Sequence, residues 1–221
     1  MRSAASRRVR ETVIFAMLAS LMFISKLVME MLPNIHLLGT LTVLYTVVYR
    51  KKALIPIYIY VILNGVYAGF AYWWVGYTYI WAILWGMAML IPKRIPDRVA
   101  AFLYPAVSAL HGFAFGILYA PSQALVFGLS LKQMITWIIA GLPFDIIHGI
   151  SNLASGLLIL PLSKLLLRLE NTYRAQAHTA SSGLTRRKGD ENENQTCTAP
   201  HGQETRKEDE NENKSVQSDE N

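Results

Sequence analysis

The chain has 221 residues, 52% of them hydrophobic and 16% charged, with a formal net charge of +6. Its one cysteine, Cys197, excludes an internal disulfide framework and a cysteine zinc cluster. The basic balance does not point to nucleic acid, because the cations stand at the ends of apolar runs and no surface module of interleaved aromatic and basic residues is present.

The charge is unevenly distributed. Residues 1–170 carry 14 Lys and Arg against 5 Asp and Glu, whereas residues 171–221 carry 7 against 10. The first part is a succession of long apolar runs and the second has hardly any. The basic start, residues 1–11, leads into an apolar run that is too long for a signal peptide and has no clear cleavage site before Pro33. Residues 1–11 are therefore expected to be a cytoplasmic N-terminus, and the first membrane crossing to follow at 12–32. Further crossings are expected at 35–49, 53–71, 77–91, 99–120 and 133–167.

The second and fourth of these are short for a bilayer that needs about 20 apolar residues, and loop charge decides in their favour. The gaps near 33–36, 71–76 and 120–132 hold a single cation, Lys132. The alternate segments hold Arg2, Arg7, Arg8 and Arg10, then Arg50, Lys51 and Lys52, then Lys93, Arg94 and Arg98, then Lys164 and Arg168. With both termini in the cytoplasm nearly every loop cation lies inside; dropping either short crossing breaks the alternation. The expected fold class is an all-α polytopic membrane protein, a six-helix domain over 12–168 in the plasma membrane of a bacterium.

Pro33, Pro92, Pro96 and Pro121 are expected at helix ends and Pro56 in a first turn, where a missing N–H costs little. Pro105, Pro143 and Pro161 lie within runs and predict kinks. The tail, 169–221, is too polar to offset its ordering entropy and is expected to be disordered; it contains the near-repeat "TRRKGDENENQ" and "TRKEDENENKS".

This topology assigns each polar residue a depth. Lys26 and Glu30, four apart, fall in the outer half of the first crossing and can pair. The first outer loop adds Asn34 and His36, the third crossing Asn64 and Tyr67, the fourth Trp81 and Trp85, the fifth His111. The last crossing carries Asp145, His148 and Asn152 on one helical face in "GLPFDIIHGISN". Polar and aromatic residues thus gather in the outer half. Ionised groups within a span cost about 2.5–3.5 kcal/mol each on insertion scales and need partners or a cavity. Lys26 and Asp145 either bind a ligand or neutralise a partner, and His and Asn in such positions also serve as hydrogen bonds between helices. Ala16 and Ser20 form a small-xxx-small step in the inner half of the first crossing, where another helix can approach closely.

The sequence contains no Gly-x4-Gly-Lys-Ser/Thr phosphate loop, no His-Glu-x-x-His and no Gly-x-Ser-x-Gly. His36, His111 and His148 with Asp145 can be assembled into a metal site only across three scattered segments, so no metal and no cofactor are expected. An intramembrane enzyme using the His and Asp side chains as acid and base is one alternative. A solitary secondary transporter is another, but the first three crossings do not match the last three as inverted repeats.

Three stretches carry a family resemblance: "AMLAS" in the first crossing, "MEMLPNIHLLGTLTVLYTVVYRKKALIPIYI" across the first outer loop and second crossing, and "GLPFDIIHGISNLASGLLILPL" in the last. Over about residues 10–168 the chain resembles the substrate-binding S components of energy-coupling factor (ECF) vitamin transporters. The family's usual helix-1 motif is Ala-x-x-x-Ala; here the second position is Ser20. The resemblance implies a high-affinity, non-enzymatic subunit of an ABC-type importer. Such a subunit binds a vitamin or related micronutrient at the extracellular side. It delivers the ligand with a separate transmembrane coupling subunit and two ATPase subunits, which fits the missing phosphate loop. It implies that Ala16 and Ser20 contact the coupling subunit, that the loop from Pro33 to Gly39 forms a lid or pocket wall, and that the outer faces of the last three crossings line the site. Trp and Tyr with a few polar groups suit a planar heteroaromatic ligand.

Overall fold

A computed structural model describes residues 2–32 and 35–176, with Thr179; the side chains of 2–4 and of Arg7 are excepted. Regular structure among the described residues is entirely helical: α1 (Arg2–Val28), α2 (Leu38–Tyr49), α3 (Leu54–Ala68), α4 (Tyr72–Met89), α5 (Asp97–Phe113), α6 (Phe115–Phe127) and α7 (Leu131–Gly156). An eighth helix, α8, starts at 159. The chain divides into two units, Met1–Thr172 and Tyr173–Asn221. The first contains α1 to α7 and residues 159–172 of α8; in the second, residues 173–176 are helical. Pro33, Asn34, Cys197 and the near-repeat of the tail lie outside the described residues.

One helix start carries a full side-chain cap. Ser130 starts α7 with a capping box, its Oγ accepting from the Gln133 N–H at 3.4 Å while Gln133 Oε1 accepts from the Ser130 N–H at 2.9 Å. Several boundaries differ from the sequence expectation: α4 starts at Tyr72, five residues before the expected 77, and residues 169–176, expected to be disordered, are helical. The basic N-terminal segment is helical from Arg2, so α1 starts ten residues before the expected crossing. The stretch expected as a fifth crossing breaks at Ala114 into α5 and α6, and Pro121, expected at a helix end, lies inside α6. The stretch expected as the last crossing breaks at 157–158, which puts Pro161 in the first turn of α8, where proline fits.

Among the described residues, three segments are long and apolar enough to cross a membrane: Arg8–Val28, Asp97–Phe127 and Leu131–Gly156. Their outward faces are aliphatic and aromatic, with Met17, Leu21 and Ile24 on α1 and Phe144, Ile146, Ile150 and Leu153 on α7. The helices α2 and α3 have 12 and 15 residues, which at 1.5 Å per residue rise about 18 and 22 Å against a hydrocarbon core of about 30 Å.

The core lies between α1, α2, α3 and α4, where Phe15, Leu18, Met22, Leu41, Leu44, Ile57 and Leu84 pack around Tyr45, Tyr60 and Trp81. Tyr45 keeps its buried hydroxyl satisfied by donating to the Leu18 carbonyl at 3.0 Å. The longest interface joins α5 and α7. It is a close approach of small residues: a Cβ on Gly112 would stand 2.9 Å from Gly149 Cα. Asn152 crosses this seam, donating to the Ser108 carbonyl at 3.2 Å.

The two ends of the bundle differ in chemistry. At one end, ion pairs join distant parts of the chain: Lys52 to Glu11, Arg10 to Glu170, and Lys164 to Asp97. At that end also, the guanidinium of Arg50 donates to the Ile91 and Met89 carbonyls at 3.0 and 2.7 Å, closing the C-terminus of α4. His111 stands 14 residues along α5 from Asp97, a rise of about 20 Å, and so lies toward the opposite end.

Candidate ligand-binding site

Toward that opposite end, three helices and one connection converge on the indole of Trp81. Its ring centroid lies 5.8 Å from Tyr77, 5.9 Å from His111, 6.2 Å from Tyr60, 6.4 Å from Phe115 and 6.4 Å from His36. His148, from α7, closes the ring of aromatics, 4.6 Å from His36 and 4.9 Å from Phe115. Helical spacing explains the convergence. Tyr77 and Trp81 are four apart on α4 and share a face, and His111 and Phe115, on either side of the Ala114 break, bring their rings to 6.1 Å.

What distinguishes this cluster from ordinary packing is its unsatisfied polar atoms. Trp81, Tyr60, His111 and His148 are at most 2% exposed. Yet Trp81 Nε1, Tyr60 Oη, His111 Nδ1, His148 Nε2 and His36 Nδ1 are buried without a hydrogen-bond partner among protein atoms. Asn64 Oδ1, one turn beyond Tyr60 on α3, is in the same condition. Each unmade bond of this kind costs about 1–3 kcal/mol, and most buried polar groups in folded chains are paired. Six such atoms lie within one cluster and its neighbouring turn, donors and acceptors that the protein leaves unpaired.

The ionised candidates are placed differently. Lys26 pairs with Glu30 at 3.2 Å, the i,i+4 pair along α1. Asp145 does not pair with Lys26: its two carboxylate oxygens accept from the Gly116 N–H, both at 3.1 Å. Gly116 is the second residue of α6, whose first N–H groups lose their intrahelical partners at the Ala114 break. Asp145 thus caps α6 from a neighbouring helix, where the helix dipole favours a carboxylate. The approach requires glycine, since a Cβ on Gly116 would fall 2.3 Å from Asp145 Oδ2. Asp145→Ala is expected to lower stability by about 0.5–2 kcal/mol, the cost of a lost cap. Asp145→Asn, which keeps an acceptor oxygen, should lose less; thermal unfolding in detergent measures both.

The remaining sequence candidates divide between the cluster and its surroundings. Asn152 is fully buried one turn beyond His148, wedged between Ser108, Gly39 and Gly112 in the helix seam, with its Oδ1 unpartnered. Trp85 lies toward the charged end and spends its N–H on the Arg50 carbonyl at 3.1 Å. Tyr67 is 56% exposed and packs edge-on against Phe23, apart from the cluster. Asn34 lies outside the described residues. Beside the cluster an apolar groove of about 440 Å³ runs between the α1–α2 connection and α7. It is lined by Met29, Ile35, Leu37, Ile147 and Ile150, and His36 belongs to both groove and cluster. Among the described residues no three His, Cys, Asp or Glu are placed to hold a metal ion.

Tyr60, Tyr77 and Phe115 were not singled out by sequence as site residues. For two of them the signal is periodicity: Tyr60 precedes Asn64 by four and Tyr77 precedes Trp81 by four, whereas Phe115 stands beyond the helix break at Ala114. The chain matches no family model, no curated protein and no solved structure.

Proposed function

We propose that this chain is a membrane-embedded ligand-binding subunit of the S-component kind. It takes a small planar heteroaromatic micronutrient against Trp81 and passes it inward with a coupling subunit and ATPases carried on other chains. The observation that carries this reading is the concentration of buried, unpartnered polar atoms around Trp81. Such a set costs stability when empty and gains when a polar ligand completes it.

The placement of charge supports a six-crossing topology with both termini on the cytoplasmic side. The ion pairs that join Glu11, Lys52, Asp97, Lys164 and Glu170 tie the α1, α2–α3, α4–α5 and α8 regions at one end, the end that carries the loop cations. The ligand cluster then faces the extracellular half of a bacterial plasma membrane. Short α2 and α3 are accommodated by bilayer thinning and by protein on their flanks. Ala16 and Ser20 are exposed on the outer surface of α1, Ser20 bonding back to the Ala16 carbonyl at 2.9 Å, so this small-residue step is available to a helix of another protein.

The reading is tested by uptake. Cells expressing this chain together with an ECF coupling subunit and its two ATPases should accumulate the ligand, and cells expressing it alone should not. Accumulation by the chain alone would instead favour a solitary transporter. Replacing both small residues, Ala16→Leu with Ser20→Leu, is expected to abolish assisted uptake while the purified chain retains its ligand. Uptake that survives the double substitution would remove α1 from the docking surface.

A further inference from the structure

We propose that Lys51, Lys93, Arg94 and Arg98, at the charged end of the bundle, form a docking surface for the phosphate headgroup of an anionic membrane lipid. Such a surface requires only that the helices lie in a bilayer, and it stands whether or not Trp81 holds a ligand.

Arg50 joins the two stretches that carry these cations. It opens the 3-10 turn Arg50–Ala53 between α2 and α3, and its φ of 53° is the one positive value among the described non-glycine residues. A side chain persists in that region only where its surroundings fix it. Three bonds do so here. The Trp85 indole donates to the Arg50 carbonyl at 3.1 Å, and the guanidinium donates to the Ile91 and Met89 carbonyls at 3.0 and 2.7 Å. Lys51 directly follows Arg50, and Lys93 and Arg94 follow Ile91 by two and three residues. The clasp therefore ties the α2–α3 connection to the α4–α5 connection. Arg50 itself is spent on carbonyls at the negative end of the α4 dipole. Of the remaining cations in these connections, Lys52 is paired with Glu11, and Asp97 is taken by Lys164. Lys51, Lys93, Arg94 and Arg98 are exposed and have no ion pair among the described residues. Like charges gathered in tethered stretches attract an anion from outside.

Exposed apolar side chains beside the cations favour a lipid over a free anion. Arg98 and Phe102 are four apart on α5 and both exposed, Phe102 by 77%, so cation and ring share a face one turn apart. Leu90, 84% exposed, stands three residues before Lys93, and exposed Ile55 stands four after Lys51. A soluble phosphate leaves these side chains bare. A lipid covers them with its acyl chains while its headgroup meets the cations, whose aliphatic stems lie along apolar surface. Anionic leaflets attract Lys and Arg next to a span in this way.

The test uses full-length protein in detergent with two lipids that share their oleoyl chains, dioleoyl phosphatidylglycerol and dioleoyl phosphatidylcholine, and inorganic phosphate as a third arm. Native mass spectrometry reads the lipid-bound fraction at each concentration. Phosphatidylglycerol is expected to bind at least about 25-fold more tightly, since each Lys or Arg near an anionic surface contributes about fivefold. That preference should shrink as ammonium acetate rises from about 0.1 to about 1 M. Lys93→Gln with Arg94→Gln should weaken phosphatidylglycerol about 25-fold, and Lys51→Gln alone about fivefold, which serves if the double variant does not fold. Lys132→Gln, at the start of α7, should leave it unchanged. Equal binding of the two lipids by the wild-type chain overturns the proposal. So does phosphate that displaces phosphatidylglycerol at equal concentration, the mark of a free-anion site. A preference that survives these substitutions places the lipid elsewhere on the chain and overturns it as well.

Discussion

Replacing Trp81 by alanine is expected to abolish ligand binding and to lower stability by about 3–5 kcal/mol, the range for deleting a large aromatic from a core. The size of the effect follows from position. The indole is 1% exposed and touches five other rings, from α3, α4, α5, α6 and the α1–α2 connection, so no neighbour can collapse into the space without breaking other contacts. Trp81→Phe separates the two roles, because it keeps a packed aromatic ring and removes the unpartnered N–H together with a smaller part of the side-chain volume than alanine does. Binding measured by titration should fall for both variants, and thermal unfolding in detergent should fall steeply only for alanine. Equal destabilisation by the two would assign Trp81 to packing alone.

Gly112→Leu is expected to have the second largest effect, forcing α5 and α7 apart and leaving little folded protein. A Cβ at this position would meet the Gly149 backbone at 2.9 Å from Cα and 3.0 Å from N, as well as Asn152 Nδ2 at 2.8 Å. Backbone cannot swing aside as a side chain can. Relief therefore requires one helix to translate, which breaks the Asn152 bond to Ser108 and displaces His111 and His148, the residues flanking this contact on each helix. Overpacking a core costs about 1–3 kcal/mol where side chains yield and more where they do not. Size-exclusion profiles and detergent melting curves should show aggregation or a strong drop in melting temperature. A monodisperse peak with wild-type melting would mean that the α5–α7 seam opens easily.

Periodicity and charge made much of the helical architecture legible. Apolar runs marked the helices, and the alternation of Arg50, Lys51 and Lys52 with Lys93, Arg94 and Arg98 marked loops that the ion pairs of Lys52 and Asp97 place toward one end. The break at Ala114 was not legible, because nothing in "HGFAFGILY" forbids a continuous helix. It is held by Asp145, from a helix about thirty residues away in sequence, through the Gly116 N–H. For the same reason sequence could offer Asp145 only a ligand or Lys26 as partner; a backbone amide freed by a helix break exists only once the helices are packed. Lys26 met its sequence neighbour Glu30, the alternative that spacing alone could name. His36, Trp81, His111 and His148 were legible as polar or aromatic residues at suitable depth, but their meeting around one indole depends on tertiary packing.

The central claim is that the Trp81 cluster holds a small molecule, and native mass spectrometry of the full-length protein purified in detergent from cells grown in rich medium tests it most directly. The account predicts one molecule per chain, released on activation and ultraviolet-absorbing, and absent from the Trp81→Ala and His148→Ala proteins. A folded chain that flies at its bare mass, with and without added heteroaromatic compounds, would contradict it.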